Sequence, residues 1–351
     1  MSAILEQFDS WLQPDGPVAV AVCTPLEPVL GRDAVLFPPT FAPQEKGGVP
    51  AYVVDETSEG KIAIIDTVGA QANRLEPVFK RPPYAGLVPK AVVKIGDRPV
   101  DVLDAGHRAA DALVRFSTKR EAIGQAFAAI AERGDASLLA KLAPTSLVFG
   151  VWDSRGVGVK IPRVVGATVR AYGVEPLAGA AQFFSAFEKE ETEALGESQD
   201  TLSELGLSDA PAGRGPGGVI ARRGVKREAI LNLIALRALA GTDAEGTLAL
   251  QRYILGLALV ALTAPVELYL REGCLLVPAQ RETARQELVK RSGERSALTL
   301  DATRTLEFAQ ASAAAFGVGE SWEASFESDA VKATADKKKA DKAKKPKGKV
   351  S

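Results

Sequence analysis

Residues 61–77 read Lys-Ile-Ala-Ile-Ile-Asp-Thr-Val-Gly-Ala-Gln-Ala-Asn-Arg-Leu-Glu-Pro, and the spacing of their apolar residues changes partway along. The β-branched run 62–65 predicts a strand, whereas Val68, Ala72 and Leu75 fall on one face of a helix. Asp66 or Thr67 can cap that helix, because both side chains accept hydrogen bonds from free backbone N–H groups. A strand that passes directly into a helix indicates a sheet with helices packed on it.

Segments on both sides extend this alternation of strands and helices. Further strands are predicted at 18–22, 34–37, 51–54, 146–152 and 157–172, and a hairpin joins 87–95 to 99–103 through Gly96-Asp97. Helices are predicted at 104–116, 120–133, 226–240 and 247–262. The order predicts an α+β fold with a palm of the ferredoxin or RNA-recognition-motif type, enlarged by helical and loop insertions. A Rossmann topology fits this order less well.

The 351 residues are 46% apolar, which suffices for a folded core, and one domain is predicted over 1–331. The longest apolar run, 253–266, is shorter than the roughly 20 residues of a membrane helix and is interpreted as a buried helix. The first residues lack a basic and apolar export pattern, so a cytoplasmic protein without membrane contact is expected. The Gly/Pro/Arg-rich segment 209–224 predicts an exposed flexible loop.

Charge is divided unevenly along the chain. Residues 332–351 hold nine lysines against two aspartates, whereas residues 1–331 hold 34 basic and 42 acidic residues, a net charge of −8. The lysine-rich tail lacks apolar residues and is predicted to be disordered. Any nucleic-acid site on the acidic body must therefore be a local basic groove.

Catalytic and metal chemistry find little support in these residues. One histidine, His107, and two distant cysteines, Cys23 and Cys274, predict no metal site and no disulfide framework. Gly213, Gly215 and Gly218 match a dinucleotide-binding pattern, but no strand precedes them and no helix follows, so no cofactor is predicted. The chain is predicted not to be an enzyme. A nuclease using Asp104, Asp111 or Asp153 remains the alternative.

Basic and amide residues recur where predicted strands give way to loops or helices. Such side chains can neutralise phosphates and fix the register of a bound strand, although any one cluster could equally be ordinary solvated surface. The candidate RNA-binding residues are Asn73, Arg74, His107, Arg108, Lys160 and Arg163, with Arg214, Arg222 and Arg223 in the flexible loop. Phe149 and Trp152 lie in a strand pattern and are expected in the core.

Four segments resemble one family of proteins. They are Asp66-Thr-Val-Gly-Ala-Gln-Ala-Asn-Arg-Leu-Glu76; Leu103-Asp-Ala-Gly-His-Arg-Ala-Ala-Asp111 with Arg115-Phe-Ser; Phe149-Gly-Val-Trp-Asp-Ser154 with Lys160-Ile-Pro-Arg163; and Leu270-Arg-Glu-Gly-Cys-Leu-Leu-Val277. Together they resemble the Cas7 backbone family of RAMP proteins from type I-G (formerly I-U) CRISPR systems, which act in antiviral defence.

The resemblance implies a subunit that multimerises along a guide RNA (crRNA) in a Cascade-like complex and presents it for pairing with target DNA. It further implies other copies of the chain, a processing endonuclease subunit, a large subunit and a helicase-nuclease as partners. An RNA-free self-assembling scaffold is the remaining alternative.

Overall fold

The computed structural model describes residues 2–42, 51–179, 182–211 and 215–344. The strands are β1 Ala19–Pro28, β2 Thr40–Phe41, β3 Ala51–Tyr52, β4 Val54–Thr57, β5 Gly60–Asp66, β6 Ala91–Ile95, β7 Arg98–Asp101, β8 Val151–Trp152, β9 Lys160–Ile161, β10 Val165–Tyr172, β11 Val174–Gly179, β12 Gln182–Phe183, β13 Ala210–Pro211, β14 Gly215–Ala221, β15 Val225–Asn232, β16 Tyr269–Arg271, β17 Cys274–Pro278, β18 Arg285–Val289, β19 Arg295–Ala297 and β20 Trp322–Ser325. The helices are α1 Ser2–Glu6, α2 Asp9–Leu12, α3 Val68–Leu75, α4 Ala112–Arg115, α5 Arg120–Arg133, α6 Ser137–Leu142, α7 Thr145–Phe149, α8 Lys189–Glu193, α9 Gln199–Glu204, α10 Leu233–Arg237, α11 Ala244–Thr263, α12 Ala302–Phe316 and α13 Ser328–Lys344.

The main sheet is antiparallel, with strand order β16-β17-β1-β15-β10-β5-β4, and β18 also pairs with β1. Four neighbouring strands of this sheet, β17, β1, β15 and β10, follow the ferredoxin-like order. Strand β1 leads through helices to β10, a hairpin returns as β15 between these two strands, and α11 leads to β17 and β18 on the far side of β1. This is the β-α-β-β-α-β order of an RNA-recognition-type palm, with β5 added at the β10 edge. The predicted α+β fold is confirmed.

One face of this sheet carries the core. Side chains along β10 and β15 alternate between buried and partly exposed positions, as expected for strands covered on one side. Val165, Ala167, Ala229 and Leu231 pack in the larger apolar cluster with α11 and α7, whereas Val169, Ala171 and Val225 belong to the smaller one. Helix α3 lies against β10. That the fold is one domain over 1–331 stays a prediction.

Helix α11 is long and apolar enough to cross a membrane by length and composition, yet 61% of its most apolar window is buried inside the fold. Its side chains Ile254, Leu255 and Leu257 are fully buried. The predicted buried helix at this position is confirmed.

Local signals predicted several elements correctly. The Thr67 hydroxyl accepts a hydrogen bond from the Ala70 N–H and caps α3. Strands β6 and β7 form the predicted hairpin around Gly96, whose φ of 59° suits a tight turn. Helix α5 spans the predicted 120–133.

Two short apolar runs adopt the opposite structure from the one predicted. Residues 146–152, predicted as a strand, form most of α7 followed by β8. Residues 226–240, predicted as a helix, form β15 before the short α10. Both predictions are wrong because short apolar runs fit a strand or a buried helix equally well, and their tertiary neighbours decide.

The prediction of a flexible loop over 209–224 is also wrong for 215–221, which form β14 paired with β11. Val219 and Ala221 are buried in the smaller apolar cluster. A side chain at Gly217 would lie 2.4 Å from the backbone carbon of Ala178, so the glycine allows the two strands to approach closely. The glycines therefore permit close strand pairing here.

The tail differs from its prediction as well. Disorder was predicted from residue 332, but α13 runs to Lys344. Alanine and lysine are strong helix formers, so local propensity supports a helix without an apolar face to bury.

Candidate nucleic-acid interface

A short hairpin projects one group of candidate residues. Strands β8 and β9 pair so that Trp152 lies directly opposite Lys160. The buried Asp153 organises the connection between them, because its carboxylate accepts a 2.8 Å hydrogen bond from the Val157 N–H. The Asp153 N–H donates to the Val159 carbonyl at 2.9 Å. The hairpin is thus held in a defined shape from both ends of its loop.

A groove of about 420 Å³ separates this hairpin from the turn at 106–108. It brings together four predicted residues from two separate segments of the sequence, His107 and Arg108 from one and Lys160 and Arg163 from the other. Its lining residues are Gly106, His107, Arg108, Gly150, Val151, Trp152, Ser154, Lys160, Ile161, Pro162 and Arg163. His107, Lys160 and Arg163 are exposed. Basic side chains on two walls of a groove suit a chain of phosphates.

Arg108 differs from the other three because its side chain points inward. It is 5% exposed, and its Nε lies 2.7 Å from Oε2 of the buried Glu76. Its Nη1 donates to the Gly150 carbonyl at 3.3 Å, and its guanidinium lies 5.4 Å from the Phe149 ring centroid. Arg108 therefore supports the groove from below, and the prediction that it faces the RNA does not fit its burial.

The backbone of Arg108 is strained at this point. Its φ is +53°, the only positive φ outside glycine among the described residues. A non-glycine residue in this region costs free energy and persists where its surroundings hold it. The contacts to Glu76 and Gly150 are what hold it.

Burial raises the pKa of Glu76 to about 7, and the nearby Arg108 guanidinium offsets only part of that rise. The groove therefore rests on an ion pair whose acid titrates near neutral pH.

Gly150 allows the groove to close at its inner end. Its φ is +80°, and an added Cβ would lie 2.8 Å from Arg163 Cγ and 3.1 Å from the Ile161 carbonyl oxygen. Any larger residue would displace Arg163 from the groove wall.

Trp152 is a lining residue that sequence reasoning placed wrongly. It was expected in the core with Phe149, yet Phe149 is buried and Trp152 is 61% exposed. Strand β8 has only two residues, and Val151 takes the buried side. The turn-forming Asp-Ser-Arg-Gly that follows Trp152 was the available signal for a hairpin end.

Arg74 lies away from this groove and is held by structural contacts. Its Nε donates to the buried Asp66 carboxylate at 3.0 Å, and Nη1 and Nη2 donate to the carbonyls of Tyr269 and Leu270. Arg271 donates to the same carboxylate at 3.3 Å. This network joins the first and fourth segments of the resemblance, so Arg74 is committed to the fold. Asn73 is exposed on α3 and does not line the groove.

The remaining predicted arginines form a separate group. Arg222 makes a paired contact with Glu175, at 3.0 and 2.8 Å, and Arg223 contacts Glu59. Both side chains are exposed at the turn between β14 and β15. Arg214 lies outside the described residues. Arg222 and Arg223 do not line the groove.

The carboxylates considered for nuclease chemistry have structural partners. Asp111 accepts hydrogen bonds from the Leu113 and His107 N–H groups, Asp104 pairs with Lys80, and Asp153 shapes its loop. Within the described residues, no three His, Cys, Asp or Glu side chains are placed to hold a metal ion together.

Comparison with known proteins gives one family match. Residues 20–176 match the family model described as "CRISPR-associated protein GSU0053". The match contains three of the four segments of the resemblance and every residue of the groove. A chain in a solved structure titled "CRISPR RNA-guided surveillance complex, pre-nicking" is similar at 11% identity and a TM-score of 0.36, with 91% of this chain and 99% of that chain covered. A TM-score at this level does not establish a shared fold. No curated protein matches.

Proposed function

We propose that this protein is the guide-RNA-binding backbone subunit of a type I-G CRISPR surveillance complex, because residues 20–176 match the family model described as "CRISPR-associated protein GSU0053". The observation that carries the proposal is the groove, in which His107 of one segment lies opposite Lys160 and Arg163 of another. Its contacts suit the ribose-phosphate backbone, so the bases of the crRNA stay available to pair with target DNA.

The acidic body is compatible with this role. The charges of Lys160 and Arg163 neutralise about two phosphates per copy, and that alone gives weak binding. Several copies on one guide RNA act together, because each bound copy raises the effective concentration of the groove beside it. The negative charge elsewhere discourages binding of RNA outside the groove.

Chemistry in this proposal belongs to partner subunits. A processing endonuclease would make the guide, a large subunit would join the assembly, and a helicase-nuclease would cleave the target. The present chain would work in the cytoplasm as a binding protein. Its carboxylates support this division, since Asp104, Asp111 and Asp153 are used in structural contacts.

Purification of the full chain with the other subunits of its system tests the proposal. We expect RNA of discrete length to copurify, and Arg163→Glu to reduce the RNA recovered by about tenfold or more, since a charge reversal replaces attraction with repulsion. Arg98→Glu is the matched control, because Arg98 is exposed on β7 and lies outside the groove.

The alternatives give different results. Oligomers free of RNA would favour the scaffold, and RNA cleavage with Mg²⁺ that Asp111→Ala abolishes would favour the nuclease. Equal RNA recovery from Arg163→Glu and wild type would overturn the groove assignment.

A further inference from the structure

The side chain of Trp152 is the one large aromatic surface in the groove, and folding leaves it mostly uncovered. The other two tryptophans are buried, at 6% exposed for Trp11 and 8% for Trp322, and the Trp322 indole N–H donates to the Leu142 carbonyl. Trp152 is 61% exposed, and no hydrogen bond of its indole is found within the described residues. An uncovered indole on a rigid hairpin is available for a ligand.

We propose that Trp152 is a stacking platform for one nucleobase of a single strand whose phosphates lie along Lys160 and Arg163. This inference rests on the proposed function and adds a base contact to it. Every nucleobase presents a flat π face, so stacking on an indole binds a base of any identity.

The ammonium group of Lys160 lies within reach of the phosphate of a nucleotide stacked on Trp152. It lies directly across the β8–β9 ladder from Trp152, with its Nζ 5.7 Å from the indole centroid. At this distance the cation–π attraction is weak at an exposed site, and the flexible side chain can turn to a phosphate. The indole and the ammonium group thus contact the base and the phosphate of one nucleotide.

The platform is formed before the ligand arrives. Asp153, the residue after Trp152, fixes the loop through the Val157 and Val159 contacts, and Val151 anchors the strand in the core. A side chain presented on a rigid element loses little conformational freedom when it binds. Duplexes should bind poorly at this site, because their bases are already stacked on one another.

Tryptophan fluorescence tests the proposal, since Trp152 is the exposed one of the three. The RNA-free full chain is titrated with a short oligouridylate and with an abasic oligoribonucleotide of the same length, while anisotropy of a labelled end reports binding. We expect the oligouridylate to quench the emission and to bind about tenfold more tightly than the abasic strand.

Two variants test whether the ring of Trp152 provides the preference for a strand with bases. Trp152→Ala should bind the oligouridylate and the abasic strand equally, whereas Trp152→Phe should keep most of the preference for bases. Quenching should disappear in both variants, because Trp11 and Trp322 are buried. Far-UV circular dichroism confirms that each variant is folded.

The outcomes separate the two proposals. Equal binding of both strands by the wild-type chain, without quenching, would overturn the stacking platform and leave the phosphate groove intact. Binding of neither strand would overturn the groove, and the platform with it.

Discussion

The Nε atom of Arg108 lies 2.7 Å from Oε2 of Glu76 beneath the groove, and both side chains are buried. Removing one member of a buried ion pair leaves the other charge unpaired in a medium of low dielectric constant. This pair also sets the backbone of Arg108 and, through the Gly150 carbonyl, the inner end of the groove. The pair therefore lies directly beneath the inner end of the groove and contacts it through Gly150.

The raised pKa of Glu76 predicts a specific pH dependence of stability. An acid whose pKa is about 7 in the folded state and near 4.5 when unfolded binds an extra proton on folding between these values. Its contribution is greatest below pH 4.5 and is lost as the pH rises to about 7. Compared with Glu76→Gln, the wild-type chain should lose up to about 3 kcal/mol of unfolding free energy across this window.

Urea unfolding of both chains at several pH values measures that difference. The opposite result, in which the wild-type chain gains unfolding free energy relative to Glu76→Gln as the pH rises, would mean that Arg108 stabilises the Glu76 carboxylate and lowers its pKa.

Charge reversal should lower the unfolding free energy strongly at Arg74 and leave it almost unchanged at Arg163. Arg74→Glu places a carboxylate beside the buried Asp66 and should lower the unfolding free energy by about 3 kcal/mol or more. Arg163→Glu changes an exposed side chain and should alter it by less than about 0.5 kcal/mol. Chemical denaturation of the two variants compares them directly, and equal effects would contradict the assignment of Arg74 to the fold.

The salt dependence of RNA binding should identify which arginine contacts phosphate. Arg163→Gln should reduce the slope of log affinity against log salt concentration by about 0.7, the value for one phosphate of a single strand. Arg222→Gln should leave the slope unchanged, because Arg222 is paired with Glu175 away from the groove. A change of slope in the Arg222 variant alone would place the RNA at the β14–β15 turn instead.

Gly150→Ala should weaken RNA binding and lower stability together. The added methyl group would meet Arg163 Cγ at 2.8 Å, and a φ of +80° disfavours alanine. We expect a loss of about 1–3 kcal/mol in unfolding free energy, measured by thermal or urea denaturation. Gly124→Ala on helix α5 is the control and should be neutral or stabilising, because apart from the adjoining residues and the backbone of α5 no described atom lies within 4 Å of the new methyl group.

The sequence by itself determined the elements whose signals are local. The cap at Thr67, the turn at Gly96 and the bounds of α5 depend on neighbouring residues and are predicted correctly. The resemblance to a CRISPR-associated family depends on four short segments in order, and the family model matches residues 20–176, which contain three of them. His107 belongs to one basic cluster of the sequence, and Lys160 and Arg163 belong to another. Folding brings the two clusters to one groove.

Only the tertiary structure decided which cations face the groove and which support the fold. Arg74 finds its carbonyl partners at Tyr269 and Leu270, nearly two hundred residues away, and Arg108 finds a buried acid at Glu76. A basic residue beside a helix end or a turn looks the same in sequence whether its side chain reaches solvent or an internal carboxylate. The same limit hid Trp152, because alternation along a strand of two residues cannot show which side chain is covered.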